Sequence, residues 1–211
     1  MSQCHSATTG AAVAPGTEAQ VVLAGNPNVG KSALFGALTR RYVMVSNYPG
    51  TTVEISRGLL PGDIPLIDTP GANSLSAASE DERVTAQYLF SQRAHIGAIV
   101  QVADAKNLRR ALLLTVQLAE LGLPMVLVLN MSDEAEALGV KIDAGRLSER
   151  LGIEVVRTVA VRGEGIGEVR RAIERARKPT FTMHYDPGLE SAISRTIALL
   201  PDGELSARAL A

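Results

Sequence analysis

Hydrophobic residues alternate between two patterns along the chain from residue 20 onward. Short β-branched and apolar runs predict strands, and longer stretches with apolar positions at helical spacing predict helices. The predicted strands span residues 21–24, 52–60, 64–67, 98–102, 125–129 and 154–158. The predicted helices span residues 32–39, 108–121, 144–151 and 166–177. Repeated strand-then-helix order indicates an α/β fold, with a mostly parallel six-stranded sheet and helices on both faces.

One edge of this sheet is predicted to be antiparallel. The runs at residues 52–60 and 64–67 are separated only by Pro61, Gly62 and Asp63. A tight turn of this composition joins neighbouring antiparallel strands. We therefore expect one antiparallel edge strand.

The two ends of the chain differ from this body, which spans residues 20–178. Residues 1–19 are rich in Ala, Thr, Ser and Gly without apolar periodicity, which predicts a disordered tail, and Cys4 with His5 lacks metal-site spacing. Residues 179–211 form a reduced helical segment, in which Leu189, Ile193 and Ile197 share a stripe of a helix over 189–200. That stripe could dock on its own body, on a second copy or on a partner domain.

Composition narrows the class of protein. With 211 residues, 46% of them hydrophobic, the chain can bury an ordinary core, and its length predicts one domain or one domain with a small appendage. A net charge of −1 gives no electrostatic footprint for nucleic acid. One cysteine, no signal peptide and no apolar run of about 20 residues predict a cytoplasmic location without a membrane span.

The first motif is a phosphate-binding loop between a predicted strand and a predicted helix. It matches G-x-x-x-x-G-K-S and consists of Gly25, Asn26, Pro27, Asn28, Val29, Gly30, Lys31 and Ser32. The two glycines let backbone N–H groups turn toward phosphate oxygens at a helix N-terminus. Lys31 supplies a positive charge, and the Ser32 hydroxyl is predicted to bind a Mg²⁺ that bridges the β- and γ-phosphates.

The second motif follows the apolar run at 64–67. It consists of Asp68, Thr69, Pro70 and Gly71. Asp68 is predicted at a strand's carboxyl end, where ligands of α/β sheets collect, and could hold Mg²⁺ through water. The Gly71 N–H could reach a γ-phosphate, which would make the following segment sensitive to that phosphate.

Two further loops are predicted to read the base. Asn130, Met131 and Asp133 follow the strand at 125–129, and Thr158, Val159 and Ala160 follow the strand at 154–158. A carboxylate at Asp133 accepts the N1–H and amine of guanine and rejects adenine. Asn-x-x-Asp alone is equally typical of a helix cap. The Ala160 N–H could approach guanine O6.

In this order the motifs resemble those of translation-factor-related small GTPases, and more narrowly the cytosolic G domain of FeoB, the bacterial ferrous-iron transporter. The resemblance covers residues 20–178 and includes the run YPGTTVE at 48–54 and NSLS at 73–76. It implies the three-layer P-loop GTPase fold. In that family the loop with Gly50, Thr51 and Thr52 would be switch one, and residues 72 to about 83 would be switch two.

The resemblance also implies catalytic roles. Thr52 would close over GTP, with its hydroxyl on Mg²⁺ and its N–H on the γ-phosphate, beside Lys31 and Gly71. Asn28 matches a position that holds K⁺ in cation-activated relatives, and the alternative is that it only shapes the loop. Ala72 stands where Ras-like enzymes use a water-orienting Gln, which predicts slow hydrolysis. Met131 replaces a lysine that packs along the base, which predicts modest affinity.

The resulting expectation is a GTP-binding, slowly hydrolysing domain that regulates Fe²⁺ uptake. Its switches would couple the nucleotide state to a transmembrane permease domain that the chain lacks, in the bacterial inner membrane. Two alternatives stay open at this point. One is an RNA- or ribosome-associated GTPase, which shares the phosphate and guanine motifs, and the other is a nucleotide-binding scaffold without turnover.

Overall fold

The computed structural model describes residues 19–39 and 44–199. The strands are β1 (Gln20–Gly25), β2 (Met44–Asn47), β3 (Glu54–Leu59), β4 (Pro65–Asp68), β5 (Ile96–Asp104), β6 (Met125–Asn130) and β7 (Glu154–Arg157). The helices are α1 (Lys31–Leu38), α2 (Glu80–Ser91), α3 (Leu108–Glu120), α4 (Ser132–Ala137), α5 (Ala144–Leu151), α6 (Ile166–Glu174) and α7 (Pro187–Ile197). The predicted tail, except for residue 19, and the positions from residue 200 onward lie outside the described residues.

The described strands form one mixed sheet in the order β2-β3-β4-β1-β5-β6-β7. β4, β1, β5, β6 and β7 run parallel, and β3 is antiparallel to both of its neighbours. The predicted α/β class is confirmed, but the sheet has seven described strands where the sequence predicted six. The additional strand, β2, was missed because all four of its residues are exposed and carry no apolar alternation.

Helices cover both faces of the sheet, and the strand residues alternate between them. In β1, Val22 and Ala24 pack toward α2, α3 and α5, whereas Val21 and Leu23 pack toward α1 and α6. This alternation follows from the two-residue period of a strand. Since the central strands are apolar on both faces, the functional residues are confined to the strand ends.

The boundaries of α6 and α7 differ from the sequence prediction by two or three residues, and those of α1 and α3 by one. α6 ends at Glu174, three residues early, and Arg177 instead bridges to Met125 at the start of β6. α7 begins at Pro187, because the Asp186 carboxylate accepts hydrogen bonds from the first-turn N–H groups. Ile193 is the buried position of this helix. No described helix is long and apolar enough to cross a membrane.

Candidate functional site

The loop between β1 and α1 has the tight curvature that its glycines predict. Asn28 and Gly30 both adopt left-handed backbone conformations, with φ of 62° and 80°. A Cβ on Gly25 would lie 2.3 Å from the Val102 carbonyl oxygen, and one on Gly30 would lie 2.3 Å from Asn130 Nδ2. Side chains are therefore excluded at both glycine positions. The loop delivers the chain directly into α1 at Lys31.

The predicted phosphate-end residues meet at the carboxyl ends of β1 and β4. The Lys31 ammonium donates to the Asp68 carboxylate and to the Thr69 carbonyl oxygen. Ser32 Oγ donates to the other carboxylate oxygen of Asp68 at 3.3 Å. A hydroxyl beside a carboxylate supplies the hard oxygens that Mg²⁺ prefers, and Mg²⁺ sites commonly use one or two such groups with substrate phosphates. The residues present fit a magnesium ion.

The second motif packs directly against the phosphate-binding loop. A Cβ on Gly71 would lie 3.0 Å from Pro27 Cα, and the Ala72 N–H donates to the Gly25 carbonyl at 2.9 Å. The Ala72 side chain is fully buried. The Thr69 hydroxyl donates to the Leu23 carbonyl at 2.8 Å, so this side chain fastens the motif to β1.

At the other end of the site, buried Asn130 connects three segments. Its Nδ2 donates to the Val29 carbonyl at 2.9 Å. Its Oδ1 accepts from the Thr158 hydroxyl and from the Ala160 N–H, both at 3.0 Å. Asn130 therefore holds the phosphate-binding loop and the loop after β7 in a fixed relation. The Ala160 N–H, predicted to approach guanine O6, already has this internal acceptor.

Asp133 lies in the first turn of α4, half-buried, at the edge of a cleft of about 230 Å³ that Thr158 and Val159 also line. One carboxylate oxygen lies 3.2 Å from the Arg162 guanidinium. Met131 precedes α4 with a left-handed φ of 59°. The sequence motif therefore places a carboxylate at this cleft, whereas the arginine beside it was not predicted.

The loop predicted as switch one is organised by Thr51. Its hydroxyl donates to the Tyr48 carbonyl at 3.0 Å and accepts from the Val53 N–H at 3.2 Å. The Thr52 side chain is exposed, and Gly50 adopts a φ of 77°. The side-chain hydrogen bonds among Lys31, Ser32 and Asp68 do not include Thr52.

The loop predicted as switch two is held by Glu82, a residue that sequence reasoning missed. Glu82 is buried, and its carboxylate accepts N–H groups of Asn73, Ser74 and Ala78 at 3.1–3.3 Å. An acidic residue in the first turn of a helix is common, so no sequence signal identified this role. The loop after the second motif is therefore anchored to α2.

Hydrogen bonds between side chains connect the loop predicted as switch two to the phosphate-binding loop and to α3. Asn73 Oδ1 accepts from Asn26 Nδ2 at 3.2 Å and from the Arg110 guanidinium at 3.0 Å. Asn26 is buried, and its Oδ1 has no hydrogen-bond partner among the described residues. Movement of Asn73 would therefore change its hydrogen bond to Asn26 in the loop that precedes Lys31.

Comparison with known proteins identifies the family. The family model described as Ferrous iron transport protein B matches residues 19–173, well over half of the chain. The chain belongs to the FeoB family. The Fe(2+) transporter FeoB of Salmonella typhimurium is 43% identical over 172 residues, which are 77% of this chain and 22% of that protein. The chain thus spans about a quarter of the length of the curated FeoB proteins it matches.

Solved FeoB structures have the same fold. A mutant of S. thermophilus NFeoB bound to GDP matches with a TM-score of 0.81 and 39% identity, covering 90% of this chain and 76% of that one. The cytosolic domain of L. pneumophila FeoB matches with a TM-score of 0.83 and 36% identity, covering 90% and 77%. The predicted P-loop GTPase fold and the resemblance to FeoB G domains are both confirmed.

Proposed function

We propose that this FeoB-family chain binds GTP and GDP with Mg²⁺, hydrolyses GTP slowly, and regulates ferrous-iron uptake by a membrane permease domain. The observation that carries the proposal is the joint placement of Lys31, Ser32 and Asp68 at one end of a sheet rim and Asn130 and Asp133 at the other. Membership of the FeoB family favours this function over an RNA-associated GTPase.

At the phosphate end, each residue has a distinct role. Lys31 would release its two protein acceptors and donate to the β- and γ-phosphates. Ser32 and Asp68 would hold Mg²⁺, Ser32 directly and Asp68 through water. The bound Mg²⁺ would neutralise charge that develops on the phosphate oxygens. Backbone N–H groups of the loop from Gly25 to Gly30 would bind the remaining oxygens.

The switch loops would report the γ-phosphate. Gly71 lies against Pro27, so its N–H is close to the phosphate-binding loop and needs only a local movement to bind a γ-phosphate. Thr52, exposed in the loop after Tyr48, would have to close inward to reach Mg²⁺. Such a transition between exposed and closed loops is a common means of coupling nucleotide state to a partner. The partner here would be a transmembrane iron-permease domain. The present domain would lie on the cytosolic side of that permease.

Hydrolysis would be slow, because Ala72 is buried and has no side-chain atom that could orient water. Asn28 is exposed on the phosphate-binding loop, where an amide oxygen could hold K⁺ beside the phosphates. We therefore expect kcat to be higher in KCl than in NaCl at equal ionic strength. Asn28→Ala should abolish this difference, and equal rates in the two salts would remove the K⁺ role.

The test of the proposed function is base selectivity measured by calorimetry. The chain should bind GDP and GTP but not ADP, because adenine lacks the adjacent N1–H and 2-amino donors that guanine presents to Asp133. Asp133→Asn should weaken GDP binding by roughly 100-fold or more, since hydrogen bonds to a charged group are lost, and should favour xanthosine diphosphate instead. Tight ADP binding, or unchanged selectivity in Asp133→Asn, would contradict the proposal.

A further inference from the structure

Lys106 lies next to the loop that contains Asn130, Met131 and Asp133, here called the base-reading loop, but belongs to a different part of the chain. It occupies the 3₁₀ turn Ala105–Asn107 that follows β5, and β5 pairs with β6 so that Asp104 aligns with Asn130. Its ammonium lies 2.6 Å from Glu134 Oε2, 3.3 Å from Asp104 Oδ1 and 3.3 Å from Met131 Sδ. The lysine is therefore fixed beside the loop rather than extended into solvent.

Met131 connects this ammonium to the phosphate-binding loop. Its sulfur contacts Lys106, and its Cε lies 3.7 Å from where a Cβ on Gly30 would stand. One uncharged side chain thus separates the Lys106 ammonium from the loop that would cradle the phosphates. Met131 itself contributes no charge to this space.

The environment keeps Lys106 protonated. Its hydrogen bond to Glu134 raises its pKa above 10.5, against the opposing effect of desolvation. The side chain is 20% exposed, so its field is screened less than that of a fully exposed surface lysine. Asp133, Asp104 and Glu134 would otherwise leave this rim negatively charged, which is unfavourable for a polyanionic ligand.

Resting on the proposed function, we propose that Lys106 is an affinity-determining residue for guanine nucleoside di- and triphosphates. Its ammonium supplies the positive charge beside the base-reading loop that Met131 does not supply, and it positions Met131 against the phosphate-binding loop. In this chain the positive charge thus comes from a residue outside the Asn130–Asp133 motif.

The first experiment measures GDP affinity of the whole chain by titration at two ionic strengths. Lys106→Ala should weaken GDP binding by about fivefold at low salt, and this loss should shrink at high salt because the contribution is electrostatic. Lys106→Arg should retain most of the affinity. Lys141→Ala, which removes an exposed lysine before α5, serves as the matched control and should bind like the wild type.

The second experiment is a double-mutant cycle with Met131→Lys. In the wild-type background this change should not tighten GDP binding, because two ammonium groups would lie side by side. In the Lys106→Ala background it should recover about the fivefold that was lost. Thermal unfolding without nucleotide shows whether each variant is folded.

Equal GDP affinity of Lys106→Ala and the wild type would overturn the inference. So would a salt-independent loss that Lys106→Arg fails to rescue, or an equal gain from Met131→Lys in both backgrounds. These results leave GDP binding by the wild-type chain intact. Absence of GDP binding by the wild-type chain would instead overturn the proposed function, and this inference with it.

Discussion

The guanidinium of Arg162 lies 3.2 Å from a carboxylate oxygen of Asp133, although the two residues belong to different loops. Arg162 ends the 3₁₀ turn after β7, and Asp133 opens α4 after β6. Since the carboxylate is predicted to accept two hydrogen bonds from guanine, its orientation governs base binding. The arginine restricts that orientation by contact with one oxygen.

Arg162→Ala should accelerate GDP release by about two- to fivefold, the effect expected for a largely exposed ion pair. The preference for guanine over xanthine should stay, because Asp133 keeps its charge. Stopped-flow release of a fluorescent GDP analogue measures this rate. Arg157→Ala is the matched control, since Arg157 pairs with Glu136 rather than with Asp133. Slower release from Arg162→Ala would show that the arginine competes with the base.

Asn130→Ala should destabilise the fold by roughly 2–4 kcal/mol even without nucleotide, because it leaves buried partners on two loops unsatisfied. Asn130→Asp should cost more, since a carboxylate cannot donate to the Val29 carbonyl that Asn130 Nδ2 now binds. Urea unfolding measures both effects. Asn107→Ala, at an exposed asparagine that bonds Asp104, should change stability by less than about 0.5 kcal/mol. Wild-type stability of Asn130→Ala would contradict this structural role.

Glu82→Gln should loosen the loop at residues 73–78. The Glu82 carboxylate accepts three backbone N–H groups through both of its oxygens, whereas the glutamine amide has one accepting oxygen and a donating NH₂ group, so at least one of those bonds is lost. Hydrogen exchange should therefore speed up at these amides, with little change in the strands. Glu80→Gln, which removes an exposed carboxylate paired with Arg83, should leave the exchange unchanged. Equal protection of the loop in both variants would exclude the anchoring role.

Tyr88 should make the fold sensitive to alkaline pH. Burial raises the pKa of its phenol above 10.0, with Arg57 and the hydrogen bond to Gln20 opposing the shift. Because the folded-state pKa exceeds the unfolded one, the contribution to stability is complete below about pH 10 and is lost as pH rises through the folded pKa. Urea midpoints between pH 8 and 11 should fall less steeply for Tyr88→Phe. If the urea midpoints of the wild type and of Tyr88→Phe fell in parallel with pH, Tyr88 would not be the origin of the alkaline sensitivity.

Much of the fold was predictable because it is encoded over short stretches. The repeated strand-then-helix order gave the α/β class, and the phosphate-binding motif correctly predicted a tight loop between β1 and α1. The edge strand β2 was not predicted, because hydrophobic periodicity indicates which residues are buried and all four residues of β2 are exposed. The start of α7 differs from the prediction because Asp186 caps the helix, which begins two residues before the predicted start.

The sequence by itself determined which chemistry is present at each loop: a lysine and a serine after a glycine turn, a carboxylate after β4, and another at the start of α4. It could do so because turn geometry and strand ends depend on neighbouring residues. Only the tertiary structure decided the partners. Asn130 reaches the loop before α1 across 101 positions, and Lys106 reaches Met131 across 25, because β1, β5 and β6 run parallel in one sheet and bring the loops after them to the same edge.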